Sequence, residues 1–497
     1  MYTFKKILFY FKNSYVFDNR ALALMRIAIA IIMMADLIIR ASDLTAHYTD
    51  DGMWRTELIK TFGYSTGYWS LHATSGNCWW IVFLFTIHFV FAFFLLVGFK
   101  TKFSTLVVWL LLISLHNRNL FVLQSGDDLL RLLLFWGLFL PWANCYSIDC
   151  KKCFAPKKQS VIANLGYLLL IASVYFFTVN LKTSTEWHSE GSAIYYALSL
   201  DQMRLPIMGN WLFQYPALMR VLTWFVFYAE LIIPFLILVP AKKGYMRIIA
   251  FCLILILHIG IGLTLYVGLF YVINIAVAIA LVPKFVLDKL QTKFKSYYKI
   301  VFPKTIPLER GQGEVIKNKL FYNGFLYKSK RIVTSYFATL IICLCLILNL
   351  SSMKWFSYEL RSEFYYPINI LRLNQYWGMF SPSVLKKDGW FVYYGIDSVG
   401  RQWDLYQNED YVNFEKPKHI VSMYKTDRWR KLAENMQSDN YTFLRPLYGK
   451  YILKTWNKNH PNKKMSTLNL YYMTKENLPN YKTTIPIKNL YTVSIDN

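Results

Sequence analysis

Acidic residues are scarce. The 497 residues hold 29 Asp and Glu against 55 Lys and Arg, a net charge of 55 − 29 = +26. Charged residues of either sign make up only 17%, where a soluble domain carries about 25%. Glycine and proline are also few, 22 and 16, and follow no period, which excludes a collagen-like fibre. Cysteine numbers seven, and none follows Cys345, so no disulfide braces the last part of the chain. Cys78 falls at a predicted membrane edge, and Cys252, Cys343 and Cys345 fall inside apolar runs. Cys145, Cys150 and Cys153 contain one Cys-x-x-Cys without a second pair or a nearby His. They read as free cytosolic thiols rather than a metal or redox centre. No P-loop, GxGxxG, GxSxG or HExxH occurs, so nucleotide-dependent, serine-hydrolase and zinc-protease mechanisms gain no support.

What fills the chain instead is apolar: 55% hydrophobic, 18% aromatic. That excludes a disordered protein. Apolar runs near membrane-spanning length lie at roughly 21–41, 78–98, 102–123, 128–144, 161–181, 216–239, 246–266, 268–286 and 331–352. Residues 246–283 would make one helix of about 57 Å, so two passes are expected, turning near Tyr266-Val267-Gly268. The pattern predicts an all-α polytopic membrane domain of about nine transmembrane helices, followed by a small mainly-β domain. The division is an interfacial N-terminal helix at 1–20, a membrane domain at 21–286, a basic loop at 287–330, a last transmembrane helix at 331–352 and a final α+β domain at 353–497. Residues 1–20 are basic and aromatic without a small-residue cleavage site, hence an interfacial helix rather than a signal peptide.

Charge alternates between the loops. Lys5, Lys6, Lys12, Lys100, Lys102, Lys151, Lys152, Lys157, Lys158, Lys242, Lys243 and the lysines of 287–330 fall on one side of a nine-span arrangement. Asp43, Asp50, Asp51, Glu57, Glu186, Glu190 and Asp201 fall on the other. The positive-inside rule then places the amino end in the cytoplasm and 353–497 outside. The basic excess belongs to these loops and implies no nucleic acid. In the final domain, Trp390–Tyr394 and Leu468–Tyr472 read as strands, Ser398-Val399-Gly400 as a hairpin turn and 421–440 as a helix.

Charged or titratable residues inside apolar runs are costly, and they point to function. They are Arg26, Asp36, His88, His116, Arg118, Asp127, Asp128, Arg131, Lys182, Glu230 and His258, many of them in the predicted outer half. Two readings stand: a polar cavity open to the outside, or interhelical ion pairs such as Asp128 with Arg131 or Arg118. Lys182 carries the best chemical case. A lysine in low dielectric is pushed toward its neutral amine, which can act as a general base. The other reading is a lysine snorkelling to the headgroups. No spacing of histidines builds a metal site.

Several motifs then occur together: Arg26 with Asp36, HYTDDG at 47–52, SLHNRN at 114–119, GDDLLRLLLFWGLFLP at 126–141, YSID at 146–149, LKTSTEWHSEGSAIYYALSLDQ at 181–202, QYWGMFSPS at 375–383 and DGWFV at 388–392. With these the chain resembles the membrane domain shared by vitamin K-dependent γ-carboxylase and its bacterial relatives, the horizontally transferred transmembrane (HTTM) family. The resemblance covers most of 20–285 and the start of the final domain. It implies a bacterial inner-membrane protein. It also implies a lysine that deprotonates a reduced vitamin K or menaquinol. Oxygen then makes the strong base that removes a proton from an exported peptide or lipid, and carbon dioxide serves as the trap where carboxylation follows. The family's Lys-x-x-x-acid-Trp pattern is here Lys182-Thr183-Ser184-Thr185-Glu186-Trp187. It assigns the base to Lys182 and places Glu186 and Trp187 beside it. His258 precedes Tyr266-Val267-Gly268-Leu269-Phe270 at the spacing of a functional carboxylase histidine. His116 is the nearest counterpart of a second one, with Asp127 at the same distance. Asp127, Asp128, Arg131 and Arg118 are assigned to the pocket. Residues 353–497 stand where the animal enzyme has a large propeptide-binding region. The expected function is a carboxylase-like, lyase or oxygenase, membrane enzyme; the alternative is a non-catalytic scaffold or maturation factor for an exported protein.

Overall fold

Short polar side chains turn the apolar runs into helices by satisfying the free amides of each first turn. Asp18 opens α1 (Asn19–Ala41) by accepting the Arg20 N–H at 2.8 Å. Asn77 opens α2 (Cys78–Val97) through the Trp79 N–H at 2.8 Å. Next come α3 (Thr101–Arg118) and α4 (Ser125–Gly137), and Ser160 caps α5 (Val161–Leu181). Helix α6 (Pro216–Leu238) starts on a proline, whose missing N–H costs nothing there. Helices α7 (Tyr245–Thr264), α8 (Phe270–Ala278), α9 (Lys284–Val301) and α10 (Gly324–Leu350) complete the bundle. The computed structural model describes residues 14–62, 65–151, 159–240, 244–301, 324–358 and 360–495. The predicted interfacial helix up to residue 13, Cys153 and the loop segment 302–323 lie outside these.

Five helices, α1, α2, α5, α6 and α7, are long and apolar enough to cross a membrane. The pair Phe270–Leu281 and Lys284–Lys293, bent by 99°, makes a sixth if it is one broken span. Three of the remaining predicted spans are shorter as helices among the described residues. The runs 102–123 and 128–144 become α3 and α4, with 18 and 13 residues: the polar stretch after Arg118 ends α3, and α4 ends at Gly137, ahead of Pro141. The run 268–286 becomes a nine-residue helix and a 3-10 turn, and in 331–352 the described apolar helix is Ser335–Leu350. The turn expected near Tyr266-Val267-Gly268 is present. Gly268 has φ 57°, and a Cβ there would lie 2.6 Å from Asp427 Oδ2. Only glycine accepts both conditions.

Helix α5 packs against α6 and α10, α1 against α2 and α8, and α3 against α4. Their buried faces share one apolar core that includes Leu22, Ile29, Leu133, Tyr167 and Ile171.

The C-terminal domain begins with α11 (Ser362–Leu371) and forms a four-stranded antiparallel sheet, order β2-β1-β3-β4. Strand β1 (Lys387–Ile396) pairs with β3 (Thr467–Glu476), Lys387 opposite Glu476. The hairpin turn at Gly400 is as read, but β2 (Gln402–Asp404) is short. Asp404 ends it by accepting the Tyr406 and Gln407 N–H groups at 2.9 and 3.0 Å. Helix α12 (Asp427–Gln437) falls inside the predicted 421–440, whereas α13 (Leu444–Asn459) and β4 (Ile487–Ile495) add to the expected elements. Trp54, Ile59, Phe121 and Val122 of the membrane-domain loops share a core with Trp390, Leu432 and Tyr448 of the sheet and its helices. The two parts are therefore packed together.

Candidate functional site

At the end of the bundle covered by the C-terminal domain lies a cavity of about 360 Å³, a volume suited to a small organic ligand. Helix α5 supplies Val174, Tyr175 and Thr178 on successive turns, and Lys182 at its C-cap. Helix α6 supplies Val226 and Glu230, and α7 supplies Leu257, His258 and Ile261. The roof comes from Met379, Phe380, Ser381 and Ser383, and from Arg430, Lys431 and Glu434 on α12.

Lys182 is 3% exposed, and its Nζ donates to Glu230 Oε2 at 2.5 Å. The same Nζ sits 3.9 Å from the centre of the Trp187 ring, whose electron-rich face attracts a cation. The loop after α5 is tied in place from both sides. His188 Nε2 bonds the Lys182 carbonyl at 2.8 Å. The Ser184 N–H donates to the Pro382 carbonyl at 3.2 Å, and Trp187 Nε1 donates to the Phe380 carbonyl at 3.0 Å. The 181–202 and 375–383 motifs, nearly two hundred residues apart in the chain, thus form one structure. Glu186 does not face Lys182. It accepts from Ser184 Oγ at 2.5 Å and pairs with Lys386 at 2.9 Å, so its work is holding the loop. In the same cavity lining His258 Nε2 lies 3.0 Å from Tyr175 Oη. His258 Nδ1 and Ser381 Oγ are buried without a partner, so two cavity-lining residues keep unused hydrogen-bonding capacity.

His116 does not line this cavity. Its ring lies between Arg131 Nη1 at 3.2 Å and Arg40 Nη2 at 3.5 Å. Asp127 accepts from Arg40 at 2.6 Å and from both terminal nitrogens of Arg428. Asp36 accepts from Arg40 Nε and from Arg428 Nη2, each at 2.7 Å. Arg131 donates to Asp128 at 2.8 Å and to the Arg372 carbonyl at 2.8 Å. Arg118 donates to the Trp54 carbonyl at 2.7 Å. Asp127, Asp128 and Arg131 therefore pair with buried charges, Arg118 holds a loop carbonyl and lies 3.5 Å from Asp50, and none of the four lines the cavity. The physical reason is charge balance: buried carboxylates and guanidiniums satisfy each other and have little left for a ligand. Burial alone would pull the Arg428 guanidinium down, but Asp127 and Asp36 outweigh it and hold the group well above its usual range.

The cavity also contains residues that the motifs did not identify. Tyr175 had no signal beyond lying two turns before Lys182. Glu230 stood out as an acid in an apolar helix, but nothing in its spacing named Lys182 as its partner. Arg430, Lys431 and Glu434 sit on a helix remote in sequence from every other wall. Among the described residues no group of three or more His, Cys, Asp or Glu side chains is placed to hold a metal ion. Neither a family model, nor a curated protein, nor a solved structure matches this chain.

Proposed function

We propose that this chain is a membrane enzyme of the kind its motifs resemble, HTTM and γ-carboxylase-like, with Lys182 as the base for a ring hydroxyl bound in the cavity. One observation carries this reading: the buried Lys182 amine, held by Glu230 and Trp187, lines a cavity that the hydrogen-bonded His258–Tyr175 pair also lines. A reduced quinone, menaquinol or vitamin K hydroquinone, supplies with oxygen the oxidising chemistry when bound, and carbon dioxide is consumed where carboxylation follows. The residues fit such a ring, because apolar walls alternate with the unpartnered His258 Nδ1 and Ser381 Oγ.

In a buried lysine–carboxylate pair the proton can rest on either partner. With the proton on Glu230, Lys182 is a neutral amine able to take another. Lys182 then takes the ring hydroxyl's proton and becomes an ammonium; Glu230 keeps its own proton, so the pair carries one positive charge beside the ring oxyanion. Tyr175 and His258 offer a hydrogen-bonded pair to a second ring oxygen, and a donor at a developing oxyanion lowers its energy. Val174, Val226, Leu257 and Phe270 keep water away from the amine. The exported peptide or lipid that finally loses its proton approaches from the polar side at α12.

The test uses the full chain in lipid nanodiscs with reduced menaquinone and oxygen, with quinone epoxide read by mass spectrometry. Wild type should form epoxide and Lys182→Ala should not, with both variants folded and the quinol bound. Equal epoxide from the two would overturn the assignment of the base. Its absence from both would favour the scaffold reading.

A further inference from the structure

Helix α12 lines two cavities. Arg430, Lys431 and Glu434 belong to the one already described. Trp429 and Ala433 belong to a second, of about 330 Å³, which shares no lining residue with the first. Its volume falls within the range of small-molecule sites, about 300–1,000 Å³. Helix α13 supplies Tyr451, Thr455, Trp456 and Asn459, and the turn after β2 supplies Tyr406. Asp43, just beyond α1, and Lys425, just before α12, also line it. Tyr406 is 46% exposed and the Lys425 side chain 60%, so part of the lining meets solvent.

The lining narrows the kind of ligand. Much of it is aromatic surface. Trp429 and Tyr451 lie near parallel, with ring centres 6.1 Å apart and planes at 28°, and Trp456 stacks on His460 at 3.8 Å. Such rings favour a flat apolar partner. The acid and the lysine of the lining are spent on each other. Lys425 Nζ donates to Asp43 at 2.7 Å and to the Ser42 carbonyl at 2.9 Å. A charged ligand would find no uncommitted counter-ion, and burying an unpaired charge is costly. The ligand is therefore neutral. Polar groups are also spread among the rings: the Tyr406 and Thr455 hydroxyls, the Asn459 amide and the Trp429 indole N–H, the last buried without a partner. An aliphatic chain or a plain phenyl ring would leave such groups unmatched, at about 1–3 kcal/mol for each one buried. A sugar ring has both halves of the match, with apolar C–H faces and a rim of hydroxyls.

We propose that this second cavity is a carbohydrate site: it takes a neutral sugar ring against the walls of Trp429, Tyr451 and Trp456, with the sugar hydroxyls on Tyr406, Thr455 and Asn459. The two cavities are separate, so the assignment stands apart from the role of Lys182.

Saturation-transfer NMR on the full chain in nanodiscs tests this. The probes are neutral mono- to trisaccharides of hexoses, N-acetylhexosamines and deoxyhexoses. At least one should bind with a dissociation constant of roughly 1 mM or tighter, and it should slow hydrogen exchange in α13 while leaving amides 201–206 unchanged. The matching uronic acid should bind about tenfold more weakly or worse. Tyr406→Ala and Asn459→Leu change exposed positions; each should weaken binding by about tenfold. Trp429→Phe keeps a ring, removes the indole N–H and should weaken binding similarly; should it fail to fold, the two exposed variants carry the test. The same sugar on a lipid anchor separates a glycolipid ligand, which gains from the anchor, from a soluble glycan, which does not. No binding by any probe, binding that both exposed variants leave unchanged, or preferential capture of a tyrosine- or tryptophan-bearing peptide would overturn the proposal.

Discussion

Arg428→Met removes a guanidinium that the C-terminal domain drives into the membrane domain. In the folded chain two arginines, Arg40 and Arg428, face two buried carboxylates, Asp36 and Asp127. The charges cancel. The variant leaves two carboxylates and one guanidinium in a place where Arg40, Asp36 and Asp127 are 1 to 2% exposed. An uncompensated buried charge of this kind costs about 3–5 kcal/mol. At about 2.1 cal/mol/K per residue a chain of 497 residues shifts by roughly 1 °C per kcal/mol, so the melting temperature should fall by about 3–5 °C. Thermal unfolding of the detergent-solubilised full chain reads this directly. The double variant Arg428→Met with Asp127→Asn restores the balance as one Asp36–Arg40 pair, so it should recover more than half of the loss. A coupling energy above about 1 kcal/mol between the two sites is expected, as for residues in one network. A single variant that loses less than about 1 kcal/mol, or a double variant whose loss is the plain sum of the singles, would refute the claim that charge balance holds the two parts together.

Two further substitutions probe separate features. Gly268→Ala places a Cβ 2.6 Å from Asp427 Oδ2 at a residue with φ 57°, and should cost about 1–3 kcal/mol, read as a lowered melting temperature; an unchanged value would mean that the α7–α8 turn relaxes freely. His47, 1% exposed with both ring nitrogens unpartnered, is pushed down to about 3 by burial, so the folded chain resists protonating it. Its stabilising effect is complete above 6.5 and is lost as pH falls toward 3. His47→Leu should therefore soften acid unfolding by about 3 kcal/mol at ~pH 4.5, and equal acid sensitivity in both proteins would show that His47 is not a source of it.

Much of this architecture is legible in the residues themselves. Uninterrupted apolar runs with Asp18, Asn77 and Ser160 at their starts give α1, α2 and α5 nearly to the residue. Lys182 and His258 stand out because charge in an apolar helix is expensive, and they do meet at one cavity. Where the residues mislead, partners are far apart in sequence. Nothing local to Asp127 announces that Arg428, 301 positions later, neutralises it. Asp127 and His116 therefore read as pocket residues, whereas they contact buried arginines away from the cavity. Helix α4 ends at Gly137, a few residues before Pro141, where hydropathy alone would carry it on to 144. Tyr175 is illegible for another reason, since an aromatic in an apolar run looks identical whether it faces a core or a cavity.

Helix α12 holds anchor and roof within two turns: Arg428 reaches the ion network while Arg430, Lys431 and Glu434 close the cavity. Synthesis runs from the amino end, so the ribosome delivers this helix after α1 to α11. Until residue 437 has emerged, the bundle carries an unroofed cavity and two carboxylates facing a single guanidinium. A nascent or prematurely terminated chain is thereby marked as unfinished in two ways at once, through exposed apolar wall and unbalanced charge, and a membrane protease that samples either defect would distinguish it from the completed molecule.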